Sequence, residues 1–332
     1  MVLRVILALS QFHEDLQEHA IMPGIFIISF DCEGKWGINE YLNSHHDHFF
    51  TNERINHAYQ GILNSLNNAE IKGTFAFVGA FTMSLEEYRA NCDWFSDVSI
   101  LGQNWFSGFN QSIKENKLDG WLNPSPYEMV IKEKSHELAS HGFSHLPLQE
   151  GLINESTFLR EMELIKLVSR IKGIEPKTFI YPRNLTGYTE QLGKAGFIGY
   201  RNGTEQYPNL IQRLKNLLGE FNIFDRAQEQ PAGNQSTIPV CLPSGHFLNW
   251  RWSLRKNVPI SISIKKYSHM INDAIQNNRI LHLWSHPHNF VDGDRMHHLL
   301  DKVLEQVGSA VKRGDLINYT QEEYIEYISK TK

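Results

Sequence analysis

Little in this sequence marks an exported, membrane-spanning or nucleic-acid-binding protein. Cysteine is scarce: Cys32, Cys92 and Cys241 are odd in number and share no paired spacing, which argues against a disulfide framework and a cysteine-based zinc knuckle and suits reduced thiols in a cytoplasmic protein. Long apolar runs are missing as well. The stretch Val2–Leu9 carries Arg4, falls far short of the roughly 20 residues that cross a bilayer, and lacks a small-residue cleavage site before Gln11–His19. It reads as a folded first strand rather than an export signal, and no stable membrane insertion is expected. Charge of one sign is equally absent: 32 Lys and Arg against 37 Asp and Glu give a formal charge of -5. The cations are scattered, so no footprint for nucleic acid or another polyanion is visible.

What the chain does have is apolar content, 41% over 332 residues, enough for the core of one large α/β domain or two smaller ones. It also has 16 histidines, grouped at 45–48, 141–145, 282–288 and 297–298, a pattern that makes metal chemistry a hypothesis to test.

The organisation is an alternation of strands and helices. Gly24–Glu33 (GIFIISFDCE) is an apolar, β-rich run ending abruptly in polar residues, the pattern of a buried parallel strand. Ile55, Ala58, Tyr59, Ile62, Leu63, Leu66 and Ala69 recur at helical spacing, with Thr51 or Asn52 as cap and Gly73 as stop. Gly73–Val78 then reads as a second buried strand, so the three form a βαβ unit. Residues 84–122, rich in Asn, Trp, Phe and Gly and weakly periodic, look like an irregular insertion. Beyond it come strands at Glu137–Ser140, Lys177–Tyr181, Phe197–Arg201 and Arg279–Ser285, and helices at Glu155–Ile171, Thr189–Ala195 and Met296–Lys312. Repeated β/α units over this length suggest a barrel more than an open sheet.

Two short segments concentrate the chemistry. Side chains alternate along a strand, so Asp31 and Glu33 share a face while Cys32 points away. A carboxylate pair at the mouth of a buried strand needs a cation or a proton to be stable; otherwise the two are solvated loop acids. In His141-Gly-Phe-Ser-His145, two imidazoles four residues apart can bind one ion together from a helical turn or a tight loop. Two histidines and one carboxylate make an open site, in which zinc keeps a position for water and lowers its pKa toward neutrality. The overlapping His136-Glu-Leu-Ala-Ser-His141 is not a zincin motif, because its histidines are five apart rather than four.

SFDCEG at 29–34, KGTFAFVG at 72–79, ELASHGFSH at 137–145, FIYPRN at 179–184 and LWSHPHNF at 283–290 resemble, in order, the successive motifs of the polysaccharide deacetylase family, also called NodB-homology or carbohydrate esterase 4. The resemblance runs on to the terminal DLINYTQEEYIEYI and covers most of the chain, read as one catalytic domain over 1–332. It implies a distorted (β/α)7 barrel of the polysaccharide deacetylase type. It also implies roles: Asp31 as catalytic base, Glu33, His141 and His145 as metal ligands, His286 as general acid with His288 as competitor, and Arg183 as the arginine that holds the base. The first motif departs from the family's adjacent aspartates, with Asp-Cys-Glu in their place, and Tyr-Pro-Arg-Asn replaces the common Arg-x-Pro-Tyr.

Trp36, Phe143, Tyr181, Trp250 and Trp284 lie in or beside these motifs, and one or two of them are expected to meet substrate. Trp36, Tyr181, Trp284 and His288 are the candidates for that contact, and Leu242–Phe247 is either a site-lining loop or an ordinary barrel loop. The expected cofactor is a divalent metal, zinc first, with cobalt, nickel or iron also suited to the ligands. The expected partner is an N-acylated carbohydrate, and the expected reaction is removal of its acyl group. Two alternatives stand beside this: a hydrolase of a non-sugar amide such as a cyclic imide or ureide, and a non-catalytic carbohydrate-binding member of the family.

Overall fold

The structure is a computed structural model that describes residues 23–42, 48–203, 219–230, 238–251 and 253–330. The strand expected at Val2–Leu9 and the histidines at 45 and 46 lie outside these residues. Among the described residues the strands are β1 (Gly24–Cys32), β2 (Thr74–Phe77), β3 (Ser99–Ile100), β4 (Gln103–Asn104), β5 (Glu137–Ser140), β6 (Thr178–Ile180), β7 (Gly199–Arg201), β8 (Val240–Leu242), β9 (His246–Phe247), β10 (Ile280–Ser285) and β11 (Leu316–Asn318). The helices are α1 (Asn52–Ala69), α2 (Leu85–Ala90), α3 (Ser107–Lys114), α4 (Ser125–Glu133), α5 (Glu155–Lys172), α6 (Thr189–Lys194), α7 (Ile260–Asn277), α8 (Asp294–Arg313) and α9 (Gln321–Lys330).

One sheet runs in the order β8-β7-β6-β5-β2-β1-β10-β9, and β11 pairs with the first residues of β1, below the point where β2 begins. Every ladder in it is parallel. Its two edges, β8 and β9, are separated in the chain only by Pro243, Ser244 and Gly245, a link that reaches about 14 Å at full stretch. The sheet therefore curls until its edges meet, with β8 and β9 serving as two halves of one stave. Counted that way the staves are β1, β2, β5, β6, β7, β8/β9 and β10, which is the distorted (β/α)7 barrel that the motifs imply.

Strand alternation sorts the core. Ile25 and Ile27 of β1 point into the barrel with Val240, Leu242 and Ile280, while Phe26, Ile28, Phe30 and Cys32 belong to the larger core under the helices. Ser29 and Asp31 continue the inward row. The barrel is stopped from below by α9, whose Tyr324 and Ile325 pack among the inward residues of β1, β8 and β10. Gly199 of β7 makes the space, since a Cβ there would lie 2.2 Å from Ile325 Cδ1. At the same level the buried Glu137 carboxylate accepts hydrogen bonds from Thr74 Oγ1 (2.7 Å), Thr178 Oγ1 and the Glu322 amide (3.1 Å).

The segment 84–122 contains α2, α3 and the small antiparallel hairpin β3–β4. It is also part of the main core: Phe95, Phe106, Phe109 and Trp121 surround Trp36 with ring centroids 4.8–6.1 Å away. Among the described residues, no helix is long and apolar enough to cross a membrane.

Candidate active site

The polar groups of interest collect at the C-terminal ends of the strands, the end where barrel loops converge. Asp31 is the penultimate residue of β1, His141 directly follows β5, Asn184 lies in the turn after β6, Arg201 ends β7, and His286 directly follows β10.

His141 and His145 sit on a tight loop rather than a helix. Gly142 has φ +80° and His145 φ +59°, and the left-handed turn at 142 is one that glycine adopts without steric cost. The loop is pinned by Glu161 of α5, whose buried carboxylate accepts from the Phe143 amide (3.0 Å), the Ser144 amide (3.2 Å) and Ser144 Oγ (2.7 Å). Burial raises the Glu161 pKa, and these bonds offset part of that rise.

Glu33, His141 and His145 converge, although 108 positions separate the first two in the chain. His141 Nε2 is 3.3 Å and His145 Nε2 2.8 Å from the same oxygen, Glu33 Oε2. The Ile180 carbonyl lies 2.8 Å from His141 Nδ1; since a carbonyl only accepts, Nδ1 carries the proton and Nε2 is left to ligate. One ligand atom from each residue lies within 4.8 Å of the others. A tetrahedral cation with bonds of about 2.0–2.2 Å holds its ligands roughly 3.3 Å apart, so the three residues form a candidate metal site. Burial lowers His145 to about 4, which keeps its imidazole neutral, the form that binds metal. Burial pushes Glu33 up, but the imidazoles around it, His286 and His145 first and then His141, hold its carboxyl well below the usual range. The Glu33 side chain packs against Gly37, where a Cβ would lie 1.9 Å from Oε1.

Asp31 is gripped by an arginine outside the five motifs. Arg201, 1% exposed, donates Nη1 to Oδ1 at 2.8 Å and Nη2 to Oδ2 at 2.7 Å. Its Nη2 also donates to Asn184 Oδ1 (2.7 Å), its Nη1 to Ser29 Oγ (3.3 Å), and its guanidinium lies 4.3 Å above the Trp284 ring. Behind Ser29, His282 Nδ1 donates to the Pro243 carbonyl (3.0 Å), so its Nε2 accepts from the Ser29 hydroxyl (2.9 Å). Burial alone would raise Asp31, but the charge of Arg201, helped by His141, brings it below its ordinary value of 3.8.

Arg183 does not hold Asp31. Its Nη2 lies 2.7 Å from Glu40 Oε2 and its guanidinium 5.9 Å from the Tyr41 ring. The reason is the turn Pro182–Asn184, in which Arg183 has φ +61°: Asn184 reaches the buried guanidinium of Arg201, and Arg183 goes to the rim. A signal for Arg201 was present in the sequence, because Gly199 and Arg201 share one face of a short strand that ends in a charge.

His286 stands at the mouth, with Nε2 3.5 Å from Glu33 Oε1 and 4.0 Å from Asp31 Oδ2 and its side chain 22% exposed. His288 stacks on it, centroids 4.8 Å apart at 13°, and its Nδ1 is 3.8 Å from Glu33 Oε1. Burial lowers His288 to about 3.

Two of the aromatic candidates are core residues, not substrate contacts. Trp36 is fully buried, with Nε1 donating to the Trp121 carbonyl (2.8 Å), and Tyr181 is buried with its hydroxyl donating to the Gly187 carbonyl (2.7 Å). Phe143 is buried too. Trp284 is half-buried, with Phe247 at 4.3 Å and His286 at 5.7 Å. Trp250, also half-buried, has its ring 6.1 Å from His288. It borders a cavity of about 470 Å³ lined as well by Arg251, Lys256, Asn289 and Arg295. The segment Leu242–Phe247 lines the site, through the Pro243 carbonyl on His282 and the Phe247 ring 5.2 Å from His286.

No protein-family model and no curated protein matches the sequence. Solved structures do match in fold. A Mycobacterium smegmatis protein assigned as a polysaccharide deacetylase superposes with a TM-score of 0.59 at 13% identity, over 94% of this chain and 92% of its own. The PuuE allantoinase gives 0.55 at 11% identity, over 92% and 90%. A Pseudomonas aeruginosa PAO1 protein assigned as a polysaccharide deacetylase gives 0.55 at 10% identity, also over 92% and 90%. At such low identity the likeness is one of fold, and the fold is that of the polysaccharide deacetylases.

Proposed function

We propose that this chain, built on a polysaccharide deacetylase fold, is a metal-dependent hydrolase that removes an N-acyl group, most simply N-acetyl, from an amino sugar. The observation that carries the reading is the meeting of Glu33, His141 and His145 around one point, beside a carboxylate kept ionised by Arg201.

A divalent cation held by those three residues, zinc first and cobalt, nickel or iron also compatible with the donors, would supply Lewis acidity and lower the pKa of a water. The chain's own groups account for the proton transfers. Asp31, ionised and held through both oxygens, takes a proton from the attacking water. His286, on the solvent side of Glu33, gives a proton to the departing nitrogen. One water is consumed, the C–N bond breaks, and the products are acetate and a free amine. The half-buried ring of Trp250 suits the apolar face of a sugar ring, and the cavity beside it offers room for the rest of the substrate.

A second reading is favoured by the fold shared with an allantoinase: the same residues opening the ring amide of a cyclic ureide. Metal-reconstituted protein should be offered N-acetylated chitooligosaccharides and nucleotide sugars on one side, and allantoin and hydantoin on the other. Acetate release without ring opening supports the deacetylase. Ring opening alone transfers the activity to ureides, and failure on both classes leaves a binding protein. Metal content before and after His141→Ala and His145→Ala tests the ligand set directly; an unchanged content in both variants would overturn it.

A further inference from the structure

The two oxygens of Glu33 face different pairs of imidazoles. Oε2 is met by His141 and His145 at 3.3 and 2.8 Å, while Oε1 is met by His286 Nε2 at 3.5 Å and His288 Nδ1 at 3.8 Å. Ligand atoms of Glu33, His286 and His288 also lie within 4.8 Å of one another, so a second three-ligand set exists beside the first. A separate observation points to a ligand there. His288 is only 7% exposed, yet its Nδ1, aimed at the carboxylate, makes no hydrogen bond, and a buried polar atom that has given up water without gaining a partner calls for an explanation. The ring is not free to seek another partner, since it is packed against His286 at 4.8 Å, Phe50 at 5.2 Å and Trp250 at 6.1 Å.

We propose that Glu33 Oε1, His286 Nε2 and His288 Nδ1 form a second divalent-cation site that shares Glu33 with the first and, when filled, inhibits by taking His286 out of proton transfer. The binding half stands on the geometry alone; the inhibition half rests on the hydrolase reading above. Two imidazoles and a carboxylate select zinc, cobalt, nickel or copper over magnesium or calcium. The second site is the weaker, because its one carboxylate is shared with another dication and the nearest further carboxylate, Asp31, is already neutralised by Arg201. An imidazole nitrogen whose lone pair binds a cation carries no proton to give.

The experiment is a titration of chelator-stripped, full-length protein with Zn2+ and with Co2+, reading bound metal by equilibrium dialysis and elemental analysis. Wild type should take up two ions per chain, the second about tenfold weaker than the first because its carboxylate is shared. His288→Phe, which keeps an aromatic ring in the stack and removes the donor, should take up one. Saturation of wild type at one ion, with free metal a hundredfold above the first Kd, overturns the site; so does a His288→Phe protein that still binds two. Should that variant fail to fold by circular dichroism, Cu2+-loaded wild type decides: two ions sharing a carboxylate give a spin-coupled resonance, and an uncoupled one-copper spectrum refutes the proposal. Acetate release should rise with the first equivalent and fall with the second, and the fall should be missing in His288→Phe. Two bound ions with no acetate at any ratio would remove the hydrolase reading and keep the site. One bound ion with activity that never declines would do the reverse.

Discussion

Removing Arg201 should strand a charge. Asp31 is 2% exposed, and both its oxygens take their charged hydrogen bonds from this guanidinium. In Arg201→Met the stem volume is kept and the counter-charge is lost, a change that costs about 3–5 kcal/mol when a buried pair is broken from one side. The double variant Arg201→Met/Asp31→Asn removes the stranded charge and should recover most of that loss. The pH dependence follows from the direction of the Asp31 shift. In wild type its folded pKa lies below 3.8, so its contribution to stability is complete above about pH 4 and is lost as pH falls through the folded value. Without Arg201, burial becomes the dominant influence and the folded pKa rises above the unfolded one. The sign then reverses: the variant is least penalised below pH 4 and loses stability as pH climbs through the raised value. Urea unfolding of wild type, single and double variants between pH 4 and 8 measures both effects. In parallel, the acidic limb of the hydrolysis profile should move upward in Arg201→Met, because Asp31 must be ionised to accept a proton. A single-variant deficit under about 1 kcal/mol that does not change with pH would refute the role given to Arg201.

Gly37→Ala places a Cβ 1.9 Å from Glu33 Oε1, so the carboxylate must move; zinc affinity measured against a chelating dye should fall by about 10–100-fold, and an unchanged affinity would contradict the site. Trp36→Ala should cost about 3–5 kcal/mol of stability while the folded fraction keeps its KM; a KM change with intact stability would return Trp36 to the substrate. Glu161→Ala deprives the Phe143 and Ser144 amides of their acceptor, at about 1.5–3 kcal/mol for each charged bond lost. It should also weaken metal binding, because His145 rides on the freed loop; intact binding in calorimetry would show that the loop holds itself.

The parts of the site that follow from local rules were legible in the sequence. Period-2 alternation put Asp31 and Glu33 on one face, and the four-residue spacing paired His141 with His145. Their convergence was not, since it depends on the β2–β5 ladder that carries the histidine loop beside the end of β1. Motif similarity points to Arg183, the arginine nearest the matching letters, whereas the contact with Asp31 is set by register across β6 and β7 and falls to Arg201. Helix α7 escapes a periodicity reading because it begins Ile-Ser-Ile-Ser-Ile, an alternation that hides the helical period carried by Tyr267, Met270, Ile271 and Ala274, which pack into the core. Strands β8 and β9, three and two residues long, are too short for periodicity to register, although they close the barrel. The segment 84–122 looks irregular in sequence because its aromatics reach Trp36 from short helices and turns, which leave no single period.

With Tyr324 and Ile325 corking the base, the described residues leave the barrel open at its loop end, beside the stacked rings of His286 and His288. On the hydrolase reading, reactant would arrive and both fragments depart past that same pair, so turnover in a closed vessel should slow as amine accumulates there, well before the starting amide runs out.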